Sequence, residues 1–346
     1  MKNILSFKFI KILFIFFLII KTNIFAPLTL PPDMERIFLD GLNRLFRDDF
    51  EGAMGKFDSL CVIEPENPFG YFCKAFGYDL IMDEYRNLKF MDEFYEAASS
   101  AIEKAEILEK KENPSAEVYL FSGGAIGIRG VRRAMIGDWV GAFRDALKAA
   151  DKVEKCLEID STLYDAYYGL GNYHYWKSVK TKILWWLPFI GDERQKGIDE
   201  VKISMRRGKF TEIPGKMCLL RIYIEEKNYN EVLRIADELI KRNNSLHPLW
   251  FKGYAYIYIE EWERTIDLYN EILRRLKEKD FYGVEGEIEC WYYLALCNYK
   301  IGKIEEAKRY LNMILPYKGK VETKIYFYEN YIDSAEKLLR EINKTN

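Results

Sequence analysis

The sequence predicts an all-α protein built from stacked antiparallel helix pairs, an α-solenoid. Three observations predict it. First, a set of small and aromatic residues recurs at fixed offsets: Gly41, Phe50, Ala53, Phe57 and Pro65 near one end, and Trp291, Leu294, Ala295, Gly302, Ile304, Ala307, Leu311 and Ile314 near the other. Second, long segments carry apolar residues at helical spacing with charges opposite, as in 90–112, where Glu103, Lys104, Glu106, Glu109 and Lys110 form the polar face. Third, no stretch alternates apolar and polar as a half-buried strand does.

Each recurring residue has a physical task. Gly41 lets two helices approach closely, Ala53 leaves room for the partner helix, Phe57 fills the gap between them, and Pro65 stops the second helix. Between the two ends the pattern returns in weaker form. Leu170-Gly171 opens one unit, Leu219 to Tyr229 with Ala236 marks another, and Trp250, Gly253 and Tyr254 begin a third. Trp250 and Trp291 are 41 residues apart, so that unit has a lengthened second helix or loop. Asn113-Pro114 ends the helix of 90–112, and segment 138–158 repeats the one-sided pattern after a Gly137-Asp138 turn. The count is about seven helix pairs, with a terminal helix at about 331–342. These spacings resemble the tetratricopeptide repeat (TPR), whose stacking implies a right-handed superhelix in which each pair closes its neighbour's apolar face.

Composition narrows the function. The chain of 346 residues is 49% hydrophobic, enough for most of it to fold. It has two histidines, His174 and His247, which removes most histidine-based catalysis and metal binding. Its formal charge is −2, and an acidic body argues against a nucleic-acid partner. Cys61, Cys73, Cys156, Cys218, Cys290 and Cys297 form no Cys-x-x-Cys pair; they read as small buried hydrophobes, with a Cys290–Cys297 pairing as the alternative. The glycines Gly123, Gly124, Gly127 and Gly130 lie in a helical context without a preceding strand or a Lys-Ser/Thr, so they are no phosphate loop, and no cofactor or metal is expected.

Residues 1–26 read as an export signal, with Lys2, Lys8 and Lys11 before the apolar run Ile12–Ile20 and Ala26 at the cleavage position. Pro27 disfavours cleavage, so an uncleaved membrane anchor is the second reading. The expected division is 1–26 as signal or anchor and 27–346 as one repeat domain with an atypical central segment, 115–210. The expected location is the periplasm or cell envelope.

The central segment holds Tyr164-Asp-Ala-Tyr-Tyr-Gly-Leu-Gly-Asn-Tyr-His-Tyr-Trp176, then Trp185-Trp-Leu-Pro-Phe-Ile-Gly-Asp-Glu-Arg194 and Gly197. Asp165, Gly169, Gly171, Tyr173, His174, Leu187-Pro188, Gly191-Asp192, Arg194 and Gly197 resemble a family of bacterial TPR proteins. That family is similar in turn to the eukaryotic one that includes the fungal inclusion-body-clearance protein. The resemblance covers about 100–130 residues. It implies a helical repeat protein that can associate with a membrane, without established enzymatic activity.

Two surfaces are candidates for partners. In such arrays the first helix of each pair lines the concave face. Counting from the anchors puts Phe38, Phe46, Tyr168, Asn172, Tyr175, Trp176, Phe251, Tyr258, Tyr292 and Tyr299 there, an aromatic groove for apolar peptide segments. Packing inside the superhelix is the other reading of these rings. The second candidate is Trp185, Trp186, Leu187, Phe189 and Ile190, preceded by Lys177, Lys180 and Lys182, which suits a membrane or partner surface or folds back on the stack. His174 reads as a hydrogen-bonded packing residue. Asp192 is expected to cap the helix that follows, with Gln195 completing a capping box.

Overall fold

The structure, a computed structural model, describes residues 30–181, 191–279, 283–321 and 330–345. The expected signal 1–26 and residues Trp185, Trp186, Leu187, Pro188, Phe189 and Ile190 lie outside them. Among the described residues there are fifteen α-helices and no strand. They form seven pairs: α1 (Pro32–Phe46) and α2 (Phe50–Ile63); α3 (Pro68–Glu84) and α4 (Met91–Leu108); α5 (Ala116–Met135) and α6 (Trp139–Ile159); α7 (Ala166–Lys180) and α8 (Arg194–Arg207); α9 (Glu212–Glu225) and α10 (Tyr229–Arg242); α11 (His247–Tyr258) and α12 (Trp262–Leu276); α13 (Val284–Lys300) and α14 (Ile304–Ile314). A terminal helix, α15 (Tyr331–Thr345), follows. The extra residues between Trp250 and Trp291 do not lengthen α12. They fall between Leu276 and Val284, where residues 280–282 lie outside the described ones, and in added turns at the start of α13.

One turn is used throughout. In the six pairs whose turn lies within the described residues, the second residue after the first helix adopts positive φ: Asp48, Arg86, Gly137, Lys227, Glu260 and Gly302. The next amide then reaches back five residues, as Asp49 N does to Arg44 O at 2.9 Å and Lys303 N to Asn298 O at 2.8 Å. This satisfies carbonyls that a helix end leaves open. Side chains then start the second helices: Asp49 accepts from Gly52 N, Asp138 from Gly141 N and Asn228 from Glu231 N.

Packing within pairs follows the repeat. A Cβ on Gly41 would lie 2.5 Å from the Phe57 ring, and one on Gly253 would lie 2.8 Å from the Tyr269 ring. Both rings fill the space a side chain would need. The glycine run of α5 does the same along a whole helix. Gly123 faces Val153 and Ala149 O, and Gly130 faces Asp145 and Ala142 O, so α6 rests on the α5 backbone. First helices of successive pairs also touch, α3 on α5, α5 on α7 and α9 on α11, which leaves the second helices on the outside. On α6 the one-sided pattern expected of 138–158 fails: Trp139, Val140, Phe143 and Leu147 are exposed.

The stack closes on itself. Phe38 of α1 packs 4.8 Å from Phe210, and Lys209 pairs with Glu35 at 2.5 Å. Asn244 N donates to Phe46 O at 3.2 Å, and Lys279 pairs with Asp48 at 3.1 Å. The corner after α3 reaches α9, α11 and α13. A repeat array in which each unit meets only its neighbours makes no such contacts.

Candidate functional site: the inner face and the corner that closes it

The α3 corner carries four polar residues that are all buried: Asp83, Glu84, Arg86 and Asn87. Asp83 Oδ2 lies 3.2 Å from Arg221 Nη2 of α9 and 3.2 Å from His247 Nδ1 of α11. Arg86 pairs with Glu289 of α13 at 3.3 Å, donates to Tyr254 Oη at 3.1 Å and stacks 4.6 Å over the Trp250 ring. Tyr254 Oη donates to Glu289 Oε1 at 2.5 Å. Trp250 Nε1 donates to Glu84 O at 2.8 Å, and Ser245 Oγ donates to the Glu84 carboxyl group.

The electrostatics follow from burial and pairing. Burial alone would lift the Asp83 carboxyl; Arg221, His247 and Arg86 more than offset it and hold it well below its ordinary range. Burial pushes Glu84 up to about 8 and also raises Glu289, and it lowers His247. Asp83, His247 and Ser245 are the residue types of a nucleophilic triad. Here Ser245 donates to Glu84 instead of the His247 ring and is almost wholly shielded from solvent, and the group ties α3 to the start of α11.

Glu84 gives a pH prediction. Its proton stays on in the folded chain up to about pH 8, whereas the unfolded chain releases it near 4.5. Its contribution to stability is therefore complete below 4.5, shrinks as pH rises and is gone above 8. The lowered His247 acts oppositely, but only below its unfolded value of 6.5. Between pH 6.5 and 8, Glu84→Gln should gain about 2 kcal/mol relative to the parent, measured by urea unfolding across that range.

The central motif residues have structural tasks. The Asp165 carboxylate accepts from Lys209 N at 2.9 Å, Phe210 N at 2.8 Å and Thr211 Oγ1 at 3.1 Å, and so fixes the start of α9. Gly169 faces Val153. Gly171 and Gly197 are the crossing point of α7 and α8: a Cβ on either would lie 2.6 Å from the other's carbonyl oxygen. His174 is buried, with Nδ1 2.6 Å from Glu200 and Nε2 3.1 Å from Lys196. Among the described residues nothing lies within 4 Å of a Cβ added at Gly191.

The capping box is corrected. The N-cap of α8 is Glu193; Asp192 accepts from Arg194 N at 3.0 Å and grips the Arg194 side chain, while Gln195 turns to Asp199. Arg194 also reaches Glu226 at 3.0 Å, which ties α8 to α9.

The aromatic residues expected in one groove fall in three places. On α7, Tyr168, Asn172 and Trp176 are half-buried; Asn172 Nδ2 donates to Tyr168 O at 2.8 Å, and Cys218 Sγ lies 3.1 Å from Asn172 Oδ1. Tyr175 is buried with its hydroxyl 2.9 Å from Glu226, and Phe251 is buried against His247 at 4.8 Å. Both rings are packing residues of the stack, as are the buried Phe38 and Phe46. Tyr258 is exposed and stacks on Tyr229 at 5.1 Å. Tyr292 and Tyr299 are half-buried near α15, where Tyr299 Oη meets Glu341 at 3.1 Å. Sequence reasoning missed the α3 corner, and a run of charges at a helix end held no signal for it.

All six thiols are free, five of them buried and Cys61 half-buried; burial pushes Cys156, Cys218 and Cys297 up to about 12. Among the described residues no group of three or more His, Cys, Asp and Glu could hold a metal ion. Nor is any helix among them long and apolar enough to cross a membrane.

Helix hairpins in register, a shared left-handed turn and glycine–ring packing within pairs define an all-α, TPR-like solenoid. Comparison with known proteins finds a TPR repeat-containing protein, MJ1428, of Methanocaldococcus jannaschii, 22% identical over 268 residues. That match covers 78% of this chain, which spans 40% of the length of that relative. No protein-family model matches. Among solved structures, yeast Tom70 aligns over 93% of this chain and 68% of its own at 15% identity, with a TM-score of 0.43. The TPR domain of P58(IPK) aligns over 89% and 99% at 13% identity, with a TM-score of 0.27.

Proposed function

We propose that the chain is a non-catalytic scaffold of the cell envelope that holds a protein partner against the inner face of its first helices. The observation that carries this reading is the half-buried wall of Tyr168, Asn172 and Trp176 on α7. There, rings and an amide that can make contacts remain partly open within an otherwise packed stack. An apolar or aromatic peptide segment suits that wall, with the tyrosine and tryptophan rings giving area at small entropic cost. The charged groups nearby are committed to ion pairs that tie pairs together, which argues for recognition and against proton transfer. Export rests on the N-terminal sequence alone and belongs to the same proposal.

The test is site-specific photo-crosslinking in envelope preparations, with the crosslinker at position 176 and a control at Val62, on the outer end of α2. A discrete protein band at 176, missing at 62 and lost on Asn172→Ala, is expected. Equal capture at both positions, or none at 176, overturns the reading.

A further inference from the structure

We infer that the outer tip of the α5–α6 hairpin is a docking face for an anionic lipid surface. This goes beyond the protein-binding role and uses a different part of the molecule. Trp139, Phe143 and Leu147 recur every four residues along one line of α6, with Val140 beside them and Ile136 in the turn before. All are exposed, Val140 at 70% and Phe143 at 60%. The α5 glycines are met by Ala142, Asp145, Ala149 and Val153, a different side of α6 from this line.

The shape of the patch selects the occupant. A peptide segment is held in a concave site where it loses most of its hydrated surface. This line runs along the outer side of a second helix and ends at a hairpin tip, a ridge that enters an interface instead of receiving a ligand. Charge points the same way. The molecule is net acidic, yet exposed Arg144 lies between Phe143 and Leu147, and Lys148, which follows, pairs with Glu106 at 2.8 Å. Lys180, at the end of α7, sits 5.8 Å over the Trp139 ring. The acids nearest in sequence are Asp138, Asp145 and Asp151; Asp145 is buried against Arg129 and Arg133, and Asp138 is engaged by Gly141 N and Arg133. An apolar line bearing tryptophan and rimmed by long cationic side chains matches the boundary between acyl chains and anionic headgroups.

The experiment uses the full chain with an environment-sensitive fluorophore on Val140→Cys, in a Cys61→Ser background, and a control label on Glu305→Cys. Vesicles of phosphatidylcholine alone and of phosphatidylcholine with phosphatidylglycerol are compared at low and high salt. The label at 140 should shift to the blue with anionic vesicles, less so at high salt, while the label at 305 stays unchanged. Val140→Glu with Phe143→Glu should lower partitioning at least about tenfold with thermal stability unchanged. Two results overturn the inference. One is a label at 140 that does not respond to anionic vesicles, which would leave any flotation to residues 1–26 or 182–190. The other is a shift that follows protein concentration without lipid and vanishes with self-association in the double variant, which would make the ridge a seam between two copies.

Discussion

Gly171→Val should remove most of the folded population. The added Cβ would sit 2.6 Å from Gly197 O and 2.8 Å from Val201 N, and neither backbone atom can swing aside as a side chain can. Ordinary overpacking costs about 1–3 kcal/mol. Forcing two helices apart at their crossing should cost about 3 kcal/mol or more, because it also slackens the Tyr175 ring and the Arg194–Glu226 tie beside it. Urea unfolding of the purified variant checks this. A loss below about 1 kcal/mol would mean that α7 and α8 can separate freely. Gly124→Ala is the useful contrast. The atoms nearest its Cβ all belong to the Phe72 ring, whose side chain can shift, so a much smaller loss is expected.

Arg86→Met should cost nearly as much by an electrostatic route. The guanidinium is the cation against Glu289, which is 1% exposed, and it also holds the carbonyl of Asp83. Removing one partner of a buried ion pair typically costs about 3–5 kcal/mol, because the remaining charge has lost its compensation. The double variant Arg86→Met/Glu289→Gln should recover about half of that loss or more, since it removes the stranded carboxylate. A double-mutant cycle by urea unfolding supplies the coupling. If the two losses simply add, the corner is not held by this pair.

Much of the fold was legible because it is written in local periods. The α4 and α15 regions, the breaks at Asn113-Pro114 and Gly137-Asp138, and the count of pairs all come from residues within one turn of each other. The glycines of α5 were legible as helical and not as a phosphate loop; the structure adds that Gly123, Gly127 and Gly130 face α6 and Gly124 faces Phe72 of α3. Two features were not legible. Asp48, Arg86, Lys227 and Glu260 take the left-handed conformation that a sequence announces only when it uses glycine. The contacts of Asp83, Glu84 and Arg86 join residues more than 130 positions apart, and charges at a helix end look solvated until the distant partner is placed. The candidate wall on α7 was placed on its helix by counting. The burial of Tyr175 and Phe251 depends on neighbours that counting does not supply.

The ties from α1–α3 to α9–α13 change how the chain comes apart. A linear array frays from its termini, and its outermost repeats exchange their amide hydrogens fastest. Here the first hairpin is fastened to the turn before α11 and to the segment after α12, so strand-like peeling from the N-terminal end must first break bonds to Asn244 and Lys279. Amides of α1 and α2 should therefore exchange at rates close to those of α11 and α13, as one cooperative unit. The contacts between distant segments also raise the contact order above that of an open stack, so folding should be slower than its helix content alone suggests.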